Sequence, residues 1–309
     1  SSIVISIYCR YYYHKSLKSR LVAVESRNGE DLAGNILRIM QELSKPEYGN
    51  YRFVLSVASP KHGYAKALIK RYGIKRVKIV KSDSVLSLCL TSKAKNILND
   101  STYPRRYVKK EGQIYLNTWH GTPLKHMGRD NKNEIYSMGN VVRNLLQADY
   151  ILFPNEYMMN IMTKAYPLEN LYKGTFLLEG YPRNSVFFTD GGKKVRAELG
   201  AENKQIIVYM PTWRGTIGNR ELEKQQQELS EFFEKLDLML TDNQFFYVRL
   251  HPLMRSEGGF TGYRHIKDFP TEYECYDVLN AADTLITDYS SVFYDFACTG
   301  KKIILYTYD

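Results

Sequence analysis

The chain has 309 residues, 44% hydrophobic and 25% charged, which argues against disorder and allows two domains with a core each. Its net charge of +10 favours anionic partners, but the basic clusters at 15–20, 70–81 and 105–110 form no continuous nucleic-acid tail, and no nucleic-acid motif is recognisable. Four widely spaced cysteines without a CxxC pair argue against structural zinc and a disulfide framework, and no run approaches the roughly 18 apolar residues of a membrane-spanning helix.

The first residues, "SSIVISIY" (1–8), read as a strand or helix against the core, or as an interfacial anchor helped by the basic cluster after them. They lack the pattern of a signal peptide, and the absence of an initial Met suggests a piece of a longer protein. Strand-like runs then alternate with helical patterns. "LVAVE" (21–25) precedes a helix at 31–43, "YRFVLSV" (51–57) a basic helix near 62–72, and "RVKIV" (76–80) a helix near 84–93. "NIL" (96–98) and "QIYLNTW" (113–119) follow, then a long helix at 133–147, "YILFPN" (150–155), a helix to Ala165 and "TFLLEGYP" (175–182). "FTDGGKK" (188–194) is the expected linker between an N-terminal domain, 1–187, and a C-terminal domain, 188–309. The alternation resumes with "QIIVYMPTW" (205–213), a helix near 220–240, "QFFYVRLHP" (244–252), "YDVLNAADTLITD" (276–288), a helix from Ser290 and "KIILY" (302–306). Apolar strands alternating with helices predict an α/β chain with two parallel-sheet, Rossmann-like domains, whose ligands lie at the carboxyl ends of strands.

Each notable motif falls at such an end. His120 follows the strand at 113–119 in "NTWHGTPLK", with Gly121 and Pro123 turning the chain away; it reads either as part of a packed aromatic turn or as a proton acceptor near neutral pH. His251 closes "VRLHP", and alternation puts Arg249 on its side if the strand reaches that far, so the two could hold a phosphate or merely end a strand. "YMPTWRG" carries Thr212 and Arg214, the latter a phosphate clamp or a surface arginine. In "TDYSSVFYDFA" a strand ends at Asp288, and Ser290 and Ser291 open a helix, which suits phosphate binding or ordinary capping; Asp295 on that helix could take a hydroxyl. Lys125 is a better phosphate contact than His126, while His14, His62 and His265 read as exposed.

Together "NTWHGTPLK", "YMPTWR", "RLHP" and "TDYSSVFYDFA", with "LVAVES" and "YPRN", resemble the CDP-glycerol glycerophosphotransferase family of teichoic acid and capsule synthesis from about residue 21 to the end. The resemblance implies a GT-B fold, two Rossmann-like domains facing across a cleft. It implies transfer of glycerol phosphate from CDP-glycerol, or ribitol phosphate from CDP-ribitol, to a polyanionic polymer or lipid-linked primer, with release of CMP. It places the enzyme peripherally on the cytoplasmic membrane face, at an anionic surface, with no nucleic-acid partner. By this resemblance His120 is the general base, His251 steadies the donor diphosphate, and Ser290, Ser291 and Arg214 bind donor phosphate; Arg249, placed beside His251 by alternation, is expected to join them. Gly121, Thr122, Lys125, Thr212, Asp288 and Asp295 fall in motifs that touch substrate. No cofactor or metal is required, although Mg²⁺ could assist the diphosphate. Family members usually continue past the strand matching "KIILY", so a shortened C-terminal domain is expected here. The competing readings are another GT-B glycosyltransferase and a non-catalytic polyanion-binding module.

Overall fold

Two compact units divide the chain, Ser1–Arg183 and Asn184–Asp309. The computed structural model describes residue 11 and residues 14–58, 62–212, 219–250 and 259–307, without the side chains at 62 and 219–226. The apolar opening at 1–8, Arg214 and His251 lie outside the described residues.

The first unit is built on β1 (Lys18–Glu25), β2 (Arg52–Val57), β3 (Val77–Lys81), β4 (Ala94–Asn99), β5 (Ile114–Asn117), β6 (Tyr150–Phe153) and β7 (Thr175–Leu178). The helices between them are α1 (Gly34–Leu43), α2 (His62–Arg71), α3 (Val85–Thr91), α4 (Gly139–Gln147) and α5 (Glu156–Ala165). The strands form one sheet in the order β3-β2-β1-β4-β5-β6-β7, and every pairing is parallel. Alternate residues of β1 feed opposite faces: Val22 and Val24 pack with Leu32, Ile36, Leu37 and Met40, while Leu21 and Ala23 pack with Val54, Val80 and Ala94. A strand covered on both faces needs an unbroken apolar run, which is why "LVAV" does not alternate.

The second unit repeats the plan with β8 (Gln205–Met210), β9 (Gln244–Val248), β10 (Ile266–Asp268), β11 (Thr284–Thr287) and β12 (Lys302–Leu305), in the parallel order β10-β9-β8-β11-β12. Its helices are α6 (Gly191–Glu198), α7 (Asn219–Met239), α8 (Cys275–Ala281) and α9 (Val292–Phe296). In each sheet the strand order reverses beside the first strand, between β1 and β4 and between β8 and β11. Those switch points open crevices at the carboxyl ends of the strands.

Several sequence expectations change. The division falls after Arg183. The Gly-Lys stretch is no linker but opens α6, because Gly192 lets that helix approach α8; a Cβ there would lie 2.7 Å from the Asn280 carbonyl oxygen. Strand β5 stops at Asn117, two residues early, since Trp119 adopts φ +49 and its N–H turns to the Asn117 side chain at 2.9 Å. Similarly β9 stops at Val248, so strand alternation does not extend to Arg249. His265 is buried rather than exposed: its Nε2 meets Asp242 at 3.0 Å and its Nδ1 the Asp237 carbonyl oxygen at 3.2 Å. Among the described residues no helix is long and apolar enough to cross a membrane.

Candidate active site

The crevice of the first unit is lined by the ends of β1, β4 and β5, which deliver Glu25 to Arg27, Asp100 and His120. Asp100 organises it. Its buried carboxylate accepts hydrogen bonds from the Ser26 hydroxyl at 2.9 Å, the Arg27 N–H at 2.6 Å and the Ser101 hydroxyl at 3.0 Å. Its main-chain oxygen lies 2.7 Å from His120 Nδ1. A carbonyl oxygen can only accept, so this bond puts the proton on Nδ1 and leaves the lone pair on Nε2. His120 Nε2 has no partner among the described residues, and the residue is exposed.

The rest of the loop holds that ring. The indole of Trp119, itself 4% exposed, stacks on the imidazole. Arg183 donates from Nη1 to the His120 carbonyl oxygen at 2.8 Å, lies over the Tyr181 ring, and donates its own N–H to Asn35 Oδ1 at 3.2 Å. Asn117 Nδ2 reaches the Ser101 carbonyl oxygen at 3.0 Å, tying β5 to the turn after β4.

Titration follows from this packing. Crowding by protein on its closed side pushes the His120 pKa below 6.5; the Asp100 carbonyl and carboxylate oppose that shift, and the charges of Arg27 and Arg183 add to it. Burial raises Asp100, against its hydrogen bonds and His120. Glu25, 2% exposed, is pushed up to about 7 by burial, opposed by the Ser82 hydroxyl that donates to it at 2.6 Å and helped by the negative neighbours Asp100 and Asp83. The crevice therefore favours the neutral form of the imidazole and disfavours ionisation of the carboxyls beside it.

The remaining residues expected in this loop divide. Gly121 and Thr122 are buried, and the Thr122 hydroxyl faces Met158 Sδ at 3.9 Å, within the core. Lys125 and His126 are exposed.

In the second unit the switch point brings Thr212 to Asp288: the Thr212 N–H donates to the buried carboxylate at 2.8 Å, and the Thr212 hydroxyl has no partner among the described residues. Thr287 donates to the Met210 carbonyl oxygen at 2.6 Å, locking the two strand ends. Ser290 accepts the Val292 N–H at 3.5 Å, and Ser291 caps α9 by position without a side-chain bond. Asp295 is buried with both oxygens taken by the protein, from Asn184 Nδ2 at 3.0 Å and the Tyr276 hydroxyl at 2.7 Å. Arg249 lies over the Phe269 ring at 5.1 Å.

Residues 7–309 match the profile of the family described as CDP-Glycerol:Poly(glycerophosphate) glycerophosphotransferase. The chain belongs to that family. This family member is 29% identical over 306 residues to a teichoic acid poly(glycerol phosphate) polymerase of Bacillus spizizenii, covering 94% of this chain and 74% of that one. It is 27% identical to the polymerase of the same description from Staphylococcus epidermidis, covering 95% of this chain but 41% of that one. A solved structure of the wall teichoic acid polymerase TagF superimposes with a TM-score of 0.77 at 25% identity, covering 99% of this chain and 74% of that one.

Within this glycerophosphotransferase, sequence reasoning missed Glu25, Arg27, Asp100 and Arg183. Glu25 and Arg183 lie inside "LVAVES" and "YPRN", stretches that carried the likeness without a chemical signature. Asp100 acts on His120 through a main-chain oxygen, which no residue pattern announces.

Proposed function

We propose that the chain transfers glycerol phosphate from CDP-glycerol to a hydroxyl of a growing teichoic acid polymer or lipid-linked primer. The observation that carries this reading is the bond from His120 Nδ1 to the Asp100 carbonyl oxygen, which leaves Nε2 free to take a proton. In the proposed step, the acceptor hydroxyl gives its proton to Nε2 as its oxygen attacks the glycerol-bearing phosphorus. The bond from that phosphorus to the bridging oxygen breaks, and CMP leaves with the electron pair. Phosphoryl transfer depends mostly on positioning and charge neutralisation.

For the donor we assign His251, Arg214, Arg249, Ser290 and Ser291 to the phosphates, and Thr212 and Asp288 to contacts at the second switch point. The Thr212 hydroxyl, buried and without a partner among the described residues, supports that assignment. Lys125 and the Gly121–Thr122 turn are assigned to the acceptor side. Thr122 serves there by shaping the loop, since its hydroxyl is buried against Met158. We assign Asp295 to holding α8 and the start of the second unit, through the Tyr276 hydroxyl and Asn184.

We read the two units as the halves of a GT-B enzyme, on the strength of their Rossmann-like strand orders. We propose no resident cofactor; Mg²⁺ carried in on the donor diphosphate fits the same scheme. The net charge of +10 supports peripheral attachment to an anionic membrane at its cytoplasmic face.

The experiment is CMP release from CDP-glycerol and CDP-ribitol in parallel, with an oligomeric or lipid-linked glycerol-phosphate acceptor. Acceptor-dependent CMP from CDP-glycerol, lost in His120→Ala and His251→Ala, is the expected result. CMP from CDP-ribitol alone would replace the alditol, and a nucleoside diphosphate product from a nucleotide sugar would replace the reaction.

A further inference from the structure

We infer that Arg27 binds a phosphate of the acceptor and so holds the acceptor hydroxyl against His120. This rests on the proposed glycerophosphotransfer and adds a residue to its acceptor side.

The backbone presents Arg27 at a cost. Arg27 and Asn28 have φ of +47 and +55, consecutive left-handed residues without a glycine. Each such residue costs on the order of 1 kcal/mol or more, and strain of this kind persists where surrounding structure enforces it. Here three contacts enforce it. The Arg27 N–H is held by the Asp100 carboxylate at 2.6 Å, and the Arg27 carbonyl oxygen accepts from the Glu30 N–H at 3.0 Å. Gly29 then closes on the end of β2, where its carbonyl oxygen accepts the Ala58 N–H at 2.6 Å and a Cβ would lie 3.0 Å from the Ala58 nitrogen.

The result is an exposed guanidinium at the rim of the switch-point crevice, with no ion pair or hydrogen bond of its own among the described residues. Asp100 holds both Arg27, through its carboxylate, and His120, through its main-chain oxygen. The Arg27 charge also bears on the imidazole, where it favours the neutral form. A cation on a backbone held in place, beside an imidazole whose neutral form is favoured, is suited to an anion that arrives with the hydroxyl. An acceptor built of glycerol phosphate or linked through a lipid diphosphate carries such an anion near its reacting end. Guanidinium matches phosphate oxygens two at a time. Neutralising Arg27 on binding would also raise the basicity of His120 as the hydroxyl arrives.

Arg27→Gly tests this, because glycine accepts the left-handed backbone and removes only the side chain. The variant should melt at or above the wild-type temperature. With CDP-glycerol as donor, its KM for a soluble glycerol-phosphate oligomer should rise about tenfold or more, its donor KM should stay within twofold, and Arg27→Lys should fall between. A lipid-diphosphate primer without glycerol phosphate is run alongside; the acceptor whose KM rises identifies the phosphate bound. Calorimetric binding of the oligomer without donor separates this inference from the reaction itself: binding weakened by Arg27→Gly supports it even if CMP release fails. An unchanged KM for both acceptors with unchanged oligomer binding, or a rise in donor KM instead, would overturn it.

Discussion

The indole of Trp119 lies 4.6 Å from the imidazole of His120, centroid to centroid, with the two planes 21° apart. Trp119 is buried, and at φ +49 it is a bulky side chain on a backbone that disfavours it. The strain turns the chain so that His120 meets Asp100 while its other face rests on a flat aromatic surface. Trp119→Leu should therefore cost stability, roughly 2 to 4 kcal/mol by loss of buried aromatic contact. With His120 as the proposed base, it should also lower kcat more than donor KM, because the imidazole loses its support. Denaturant unfolding and steady-state kinetics check the two effects; an unchanged kcat would show that the stack is structural only.

The pH profile follows from the direction of the His120 shift. Its pKa lies below 6.5 because protein packing disfavours the charged ring, so the neutral base persists as pH falls to that value. The rising limb of kcat/KM attributable to the base should sit below pH 6.5 and vanish in His120→Ala. A limb well above pH 6.5 would assign the proton transfer to another group.

Glu25 makes the opposite contribution. Its folded pKa, about 7, is raised above the ordinary 4.5, so the folded state holds a proton that the unfolded state has lost between those values. Its stabilising effect is complete below pH 4.5 and disappears as pH rises through 7. Glu25→Gln should match the wild type near pH 4.5 and be more stable at pH 8, by on the order of 2 kcal/mol. Melting curves across pH 5 to 8 measure the difference directly; parallel curves would mean that Glu25 ionises normally.

Asp295 supports the second unit through Tyr276 and Asn184. Tyr276→Phe should destabilise the protein by roughly 1.5 to 3 kcal/mol, since it leaves a buried carboxylate oxygen without its donor. Activity at a temperature well below melting should change little. A large rise in donor KM without loss of stability would return Asp295 to the substrate.

Most of the architecture was legible because parallel strands buried on both faces announce themselves as apolar runs; "LVAVE" and "TLIT" are strands as read. Elements defined by contact rather than composition were not. Helix α6 carries Gly192 in its first turn because α8 passes close by, and β10 has three residues, too few to show a period. In the site, His120 was visible as a residue type at a strand end. Asp100 and Arg183 were not, since each touches His120 through main-chain oxygen, one its own and one the histidine's. The burial of His265 depends on Asp237 and Asp242, more than twenty residues earlier in the chain.

The position of β1 in the middle of its sheet sets an order of events during synthesis. Its neighbour on one side, β2, follows soon after it, but β4 on the other side comes later, and Ser26 meets Asp100 across 74 residues. An emerging chain thus carries β1 with one edge unpaired through the making of α2, β3 and α3, an interval in which exposed strand edges invite association between chains. His120 finds its carbonyl partner only after β4 has joined, and Arg183 reaches the His120 carbonyl from another 63 residues on. The His120 loop thus depends on partners from both earlier and later in the chain.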